Sequence, residues 1–289
     1  MLKEVSFGVY QFEMGILFRT SLLINGILFN TEAMLSLTDK HISLLEESDK
    51  YLLRQLFETD MGTPIESLYI ETASLPVKFI LKGRRLMYYW SMLQKNETEI
   101  AKQVFLAQKE FPSKKTDWVK QVYEDLEYCN IEQSEEEMKC MKRDTFKNLV
   151  DKKIRTKASE YLTMLQMKHN KSMYLYQDQK MAEYLRTDLL SVREKQLLFK
   201  LRSRTTPNKT NYRKKYENDL SCSLCKDPDS EESLSHLLSC QFLASKPHLT
   251  EELHQVKYDD IYKTLTTQIR AVKLWTKVFR VYEAENAKS

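Results

Sequence analysis

Asp144-Thr-Phe-Lys-Asn-Leu-Val-Asp-Lys-Lys-Ile-Arg-Thr-Lys-Ala-Ser-Glu-Tyr-Leu-Thr-Met-Leu-Gln-Met-Lys168 is the stretch that decides the fold class. Phe146, Leu149, Ile154, Ala158, Tyr161, Leu162 and Leu165 recur in it largely at spacings of three and four, the period of an amphipathic helix and not of a strand. The pattern repeats outward in both directions. Thr38 precedes a segment in which Ile42, Leu45, Leu52, Leu53 and Leu56 keep helical spacing. Thr63-Pro-Ile-Glu66 reads as an N-cap, a first-turn proline and a capping-box glutamate. Pro76 opens a helix that runs through Arg84, Arg85, Tyr88 and Trp90, and Thr116 caps Asp117-Trp-Val. Ser134 with Glu137 and Ser191 with Glu194 repeat the capping box, and a last helix covers about 259–283 with Ile269, Val272, Trp275 and Phe279 on one face.

Five glycines and six prolines in 289 residues are too few for a many-stranded sandwich or a glycine-rich nucleotide-binding sheet. No alternating pattern lasts more than a few residues. The sequence predicts an all-α protein: an irregular multi-helix domain with a small module inserted late, and breaks near 109–115, 170–178 and 205–211. The apolar run from Gly15 to Asn30 is interrupted by Arg19, Asn25 and Asn30. It falls short of a membrane span and reads as a buried helix. The first ninety residues are expected to form one continuous core on Phe18, Leu22, Ile27, Phe29, Leu45, Leu52, Leu56, Leu68, Phe79 and Tyr89.

The late module is marked by Cys222-x2-Cys225-x10-His236-x3-Cys240. A Cys-x2-Cys turn supplies two thiolates to one metal, and residues four apart on a helix place His236 and Cys240 on one face. Four protein ligands would close a tetrahedral shell and leave no open position for a catalytic water, so the expectation is one structural Zn²⁺. Scattered buried thiols and a core histidine are the alternative explanation, and both paired spacings in order argue against it. Cys129 and Cys140 lie too far away and read as bystanders. No secretory leader is evident, which predicts an intracellular protein, nuclear or cytoplasmic, with reduced cysteines.

Charge is unevenly placed. Arg193 to Lys215 holds nine basic residues against Glu194 alone, a window charge of +8 in a chain whose total is +4. A charge run is most often a solvated face. Beside a metal module, and carrying Phe199 and Tyr212, it points to nucleic acid, with Arg202, Arg204, Lys209, Arg213, Lys214 and Lys215 as the expected phosphate contacts. Leu197, Leu198 and Leu201 must face a core if 192–204 is helical, which leaves Arg193, Lys200 and Arg204 on the other side.

No catalytic constellation is visible. Asp259-Asp260 enters a helix pattern and not a strand hairpin, and neither a phosphate-binding loop nor a nucleophile elbow occurs. The expectation is a non-catalytic protein that binds RNA or DNA, with no membrane and no small-molecule substrate. The competing expectation is a helical module for protein partners, in which the metal only staples helices.

The order of segments resembles the C-terminal part of a non-LTR (LINE-like) retrotransposon reverse-transcriptase polyprotein. The carrying stretches are Ser21-Leu-Leu-Ile-Asn-Gly-Ile-Leu-Phe-Asn-Thr-Glu-Ala33, Leu44-Leu-Glu-Glu-Ser-Asp-Lys-Tyr-Leu-Leu-Arg54 and Gly62-Thr-Pro-Ile-Glu-Ser-Leu-Tyr-Ile-Glu71. Leu75-Pro-Val-Lys-Phe-Ile-Leu-Lys-Gly-Arg-Arg-Leu86, Asp117-Trp-Val119, Leu201-Arg-Ser-Arg204 and the Cys-Cys-His-Cys cluster come after them. The resemblance implies a thumb-like helical domain over 1–110, a helical linker over 111–204, and a basic segment, CCHC zinc finger and C-terminal helix over 205–289. It further implies a finger that helps hold template RNA or target DNA. The polymerase palm and its metal-binding aspartates have no counterpart here, so the chain is not expected to reverse-transcribe.

Overall fold

A computed structural model describes residues 8–33, 37–111, 117–169, 175, 180–212 and 219–287. Its helices are α1 (Gln11–Phe18), α2 (Asp39–Phe57), α3 (Ile65–Thr72), α4 (Val77–Gln94), α5 (Ile100–Glu110), α6 (Trp118–Tyr128) and α7 (Glu135–Cys140), then α8 (Arg143–Lys168), α9 (Glu183–Arg186), α10 (Val192–Arg202), α11 (Leu234–Ser239), α12 (Gln241–Ala244), α13 (Thr250–Leu253) and α14 (Leu265–Asn286). No strand forms among the described residues; an isolated bridge pairs Ser221 with Glu231. The fold is all-α. No helix among them is long and apolar enough to cross a membrane.

The chain divides into two compact units, neither of them a continuous stretch. Unit I comprises Met1–Ile16, Arg54–Ala73 and Gln166–Ser289; unit II comprises Leu17–Leu53 and Ser74–Leu165. The first ninety residues are therefore shared between two cores and do not build one. The boundaries expected near 110 and 204 follow loops, whereas the division at 53/54 and at 165/166 falls inside α2 and α8. Helix interiors carry no compositional punctuation, so composition does not reveal it.

In unit II, α4 packs against α5, α6 and α7. Phe79, Leu86, Tyr89 and Leu93 lie on its buried stripe with Phe105, Trp118, Val122, Phe146, Val150 and Ile154 around them. Burial of each such side chain stabilises by about 1.5–3 kcal/mol. Two charged contacts fix the geometry. Asp125, almost fully buried on α6, accepts from Arg85 Nη1 at 2.8 Å and from Lys82, both on α4. Arg19, also buried, donates to both oxygens of Asp49 at 2.5 and 2.8 Å and to the Leu75 carbonyl at 2.8 Å. The arginine that interrupts the apolar run is thus its buried anchor.

The expected N-terminal register is displaced. Phe12, Gly15 and Arg19 are buried at helical spacing, but the next buried residue is Ile24, five positions on, then Leu28 and Thr31. Arg19–Ile24 forms a π-helical turn, which takes up an extra residue and rotates the helix downstream of it. Leu22 and Phe29 consequently stand 59% and 74% exposed, while Ile24 and Leu28 take the core positions. On α2 the fully buried leucine is Leu53 and not Leu52. Leu56, Leu68, Phe79 and Tyr89 are core as expected; Phe18, Ile27, Leu45 and Leu52 are half-buried.

Capping follows the sequence at Ser134/Glu137 and Ser191/Glu194, where both reciprocal bonds of the box form. Asp117 caps α6 by accepting the Val119 N–H at 3.0 Å; Thr116 lies outside the described residues. Thr63 and Glu66 do not form a box. Pro64 holds the N-cap position without a side-chain bond, and the fully buried Glu66 carboxylate instead meets His169 Nδ1 at 2.9 Å.

Unit I centres on Phe57, whose ring lies 4.9 Å from Phe12 and 4.1 Å from Phe199. Helix α14 packs against α9 and α10, burying Val272, Trp275, Val278 and Phe279. Leu198 and Leu201 face inward as expected, but so do Lys195, Gln196, Phe199 and Arg202. The α10 helix is buried on most of its circumference.

Phe79→Ala should cost about 3–5 kcal/mol, whereas the exposed Phe29→Ala should stay within about 0.5 kcal/mol. Urea denaturation of both variants checks the register: comparable losses would place Phe29 in the core and remove the π-turn account.

Candidate metal centre

The centre is assembled by a short hairpin and two helix starts. Cys222 N–H donates to the Ser230 carbonyl at 2.9 Å and Glu232 N–H to the Leu220 carbonyl at 2.7 Å, so the chain doubles back around the Cys222–Cys225 turn. That turn closes with Lys226 N–H on the Cys222 carbonyl at 2.8 Å, Lys226 itself taking a left-handed φ of 56°. Ser233 then caps α11 by accepting the His236 N–H at 3.1 Å, which starts the helix that presents His236. Cys240 ends α11 and serves as the N-cap residue of α12.

The four expected ligands converge. One donor atom from each of Cys222, Cys225, His236 and Cys240 lies within 4.8 Å of the other three. Cys222 Sγ and Cys240 Sγ are 4.0 Å apart, and Cys225 Sγ is 3.4 Å from His236 Nε2. An ion bound tetrahedrally at about 2.3 Å from sulfur and about 2.0–2.1 Å from nitrogen sets sulfur–sulfur edges near 3.8 Å and sulfur–nitrogen edges near 3.6 Å. These two contacts lie close to those values, and the group could hold one metal ion. Cys222 and Cys240 are buried, with Leu224, Leu234, Leu237 and Leu243 also buried nearby in sequence.

Backbone N–H groups converge on two of the sulfurs. Cys222 accepts from the backbone N–H groups of Cys225 and Leu224, and Cys240 from those of Leu243 and Phe242. The contact between Cys222 Sγ and Cys240 Sγ couples the two thiols. The bond from Cys222 brings the Cys240 thiol down to about 7, while the same bond raises Cys222 to about 12. A metal displaces the protons from the ligating thiols, so its affinity must fall in acid. Cys129 is buried, its thiol pushed up to about 11 by that burial, and Cys140 is exposed; neither joins the group.

A residue not anticipated from sequence holds this arrangement in place. Glu232 is fully buried, and its carboxylate accepts four hydrogen bonds. Ser223, inside the Cys222–Cys225 turn, donates its N–H at 2.9 Å and its hydroxyl at 2.6 Å to Oε2. Lys209 N–H and the Tyr282 hydroxyl donate to Oε1 at 3.0 and 2.7 Å. Its carbonyl takes Thr210 Oγ1 at 3.0 Å. From its neighbours in sequence alone, Glu232 looks like surface charge before a helix cap. The only local hint is its place beside Ser233, and the partners that matter are up to fifty residues away.

The structure redistributes the basic block. Arg202 is buried, its guanidinium donating to Glu71 at 2.7 Å and to the Ile261 carbonyl at 2.7 Å, with Tyr184 and Tyr262 stacked near it. It is a structural ion-pair partner and is withdrawn from the expected phosphate contacts. Lys195 is also internal, donating to the carbonyls of Val9 and Leu185. Lys209 pairs with Asp219 at 2.9 Å. Arg204, in a left-handed conformation at φ 52°, is half-buried beside Tyr258 and Tyr262. Burial lowers the Lys200 ammonium, while Arg193 is exposed. Arg213, Lys214 and Lys215 lie outside the described residues.

No family model, no curated protein and no solved structure matches this chain.

Chain purified without chelator under reducing conditions should carry one metal equivalent, and Cys225→Ser should lose it. Glu232→Gln should weaken metal binding about 10–100-fold, the range for lost outer-shell partners, because one carboxylate oxygen becomes an NH2 that cannot accept from Ser223 or from Tyr282 and Lys209. Competition with a chromophoric chelator measures both; an affinity unchanged in Glu232→Gln would remove Glu232 from the centre.

Proposed function

We propose that the chain is a non-catalytic, zinc-holding protein that binds nucleic acid, related to the C-terminal part of non-LTR retrotransposon reverse-transcriptase polyproteins. The observation that carries this reading is the Cys222, Cys225, His236 and Cys240 cluster, which six residues separate from a basic stretch with no acid from Lys195 to Lys215. Three thiolates and an imidazole at tetrahedral spacing suit Zn²⁺, a borderline ion without geometric preference of its own. With all four positions taken by protein, the ion stabilises the module and does not activate water. Arg213, Lys214 and Lys215 stand in sequence between Lys209, whose N–H is bonded to Glu232, and the first ligand, Cys222. Their cations neutralise phosphates, which fixes position on a strand without reading its sequence. Arg204 and Lys209 precede them in the same stretch.

One observation favours a second reading, a module for protein partners. The α5 helix leaves Ile100 80%, Val104 52% and, just past its end, Phe111 74% exposed. These are apolar groups at near-helical spacing that a partner helix could cover.

The two readings separate by salt dependence. Gel-shift titrations with RNA, single-stranded DNA and duplex DNA should give affinities that fall with a log-log slope of about −0.7 to −0.9 per phosphate contacted. Changing Arg213, Lys214 and Lys215 together to Ala should flatten that slope and weaken RNA and DNA alike. A triple variant that binds as the parent does at both low and moderate salt would favour the interaction module instead.

A further inference from the structure

Unit II carries a groove that its packing leaves open. It lies between α4 and α8, and its volume is about 540 Å³, within the roughly 300–1,000 Å³ range of ligand sites. On the α8 side, Arg143, Lys147 and Asp151 stand at successive turns along the wall. On the α4 side the wall is Gly83, Met87, Tyr88 and Trp90. A Cβ on Gly83 would meet Ile154 and Val150 at 3.8 and 3.9 Å, ordinary contact distances. Packing therefore tolerates a side chain there; its absence leaves room.

The charge of this region is as uneven as that of the 193–215 block. Between Lys142 and Lys157 the chain has seven basic residues against Asp144 and Asp151. Lys153 donates to the Asn130 carbonyl and Lys157 pairs with Glu160. The side chains of Lys142, Arg143, Lys147, Lys152 and Arg155 have no ion pair or hydrogen bond among the described residues, and all five are exposed. The cations withdrawn into the fold around α10 thus have an accessible counterpart on α8. The aromatic wall is fixed from behind. Trp90 donates its indole N–H to the Met138 carbonyl at 3.1 Å and stacks on Phe146 at 6.4 Å, and Tyr88 stands edge-on to Trp118 at 5.5 Å. Both rings are half-buried, so neither must be ordered when a ligand arrives.

We propose that this groove takes one nucleotide of a single-stranded nucleic acid, the base against Tyr88 and Trp90 and the flanking phosphates on Arg143 and Lys147. Paired cations alone would suit any polyanion. The aromatic wall adds stacking, which needs an unstacked base and so excludes a duplex. Asp151 and Glu32, which also line the groove, offer acceptors for the exocyclic amines of a base or for a ribose hydroxyl. The site lies wholly in unit II and is independent of the metal centre.

The test uses the full chain and fluorescein-labelled single strands of about 15 nucleotides, a length that spans one site of this kind, with RNA and DNA in separate arms, read by anisotropy. Arg143→Gln with Lys147→Gln should leave thermal unfolding unchanged, weaken binding about tenfold at low salt and reduce the log-log salt slope by about 1.4, two contacts at about 0.7 each. Ultraviolet cross-linking with peptide mapping should place adducts on Tyr88 or Trp90, and Gly83→Met, which fills the groove, should abolish those adducts. Adducts confined to 193–226 together with full affinity of the double variant overturn the groove and leave the metal-module reading standing. Absence of binding to either strand overturns both. Displacement of the strand by poly-glutamate as readily as by unlabelled oligonucleotide shows recognition by charge alone and overturns the stacking site.

Discussion

Unit I depends on one buried carboxylate. Taking Glu232 out of water costs several kcal/mol, and four donors offset that cost: two from Ser223, one from the backbone of Lys209 and one from Tyr282. These donors belong to the Cys222–Cys225 turn, to the segment after α10 and to α14. The Cys-x2-Cys turn is therefore not an appended finger that folds on metal alone. Its shape is set by a helix near the end of the described chain, and the ligand geometry inherits the rigidity of α14 packed on α10.

The same device recurs through the molecule. Asp49 receives Arg19, Asp125 receives Arg85 and Lys82, and Glu71 receives Arg202, each acid almost fully buried. Removing one member of such a pair strands the other in a low-dielectric interior, so these contacts specify which helices meet more than they add to net stability. They also explain why the sequence overstated surface charge around α10. A window of +8 contains cations whose partners, Glu71 for Arg202 above all, lie far along the chain and outside any window.

What was legible in the sequence was local. Helical period, the capping boxes at Ser134 and Ser191, and the convergence of Cys222, Cys225, His236 and Cys240 all rest on spacings of two to fourteen residues; the helix ends at Ser239, however, so Cys240 joins the group from an extended residue and not from a helix face. What was not legible depended on distance or on backbone irregularity. The π-turn at Arg19–Ile24 has no compositional mark, yet it exchanges Leu22 for Ile24 and Phe29 for Leu28 in the core. Glu66 satisfies the capping-box pattern and is instead held by His169, 103 residues away. Arg202 carries the right charge at the right place beside the metal module and points inward.

The discontinuity of the units bears on how the chain is made. Contacts that close unit I join residues 131 and 186 positions apart, as in Glu71 with Arg202 and Val9 with Lys195. The early segments of unit I leave the ribosome long before their partners exist, whereas every segment of unit II is present once residue 165 has emerged. Closing such long loops delays folding more than it reduces stability. The Cys222, Cys225, His236 and Cys240 group comes after all of unit II, and Tyr282, which holds Glu232, comes after that group. Any metal taken up by this group would therefore find its final cradle late in biosynthesis: until α14 arrives, the hydroxyl of Tyr282 that holds Glu232 against the Cys222–Cys225 turn is missing.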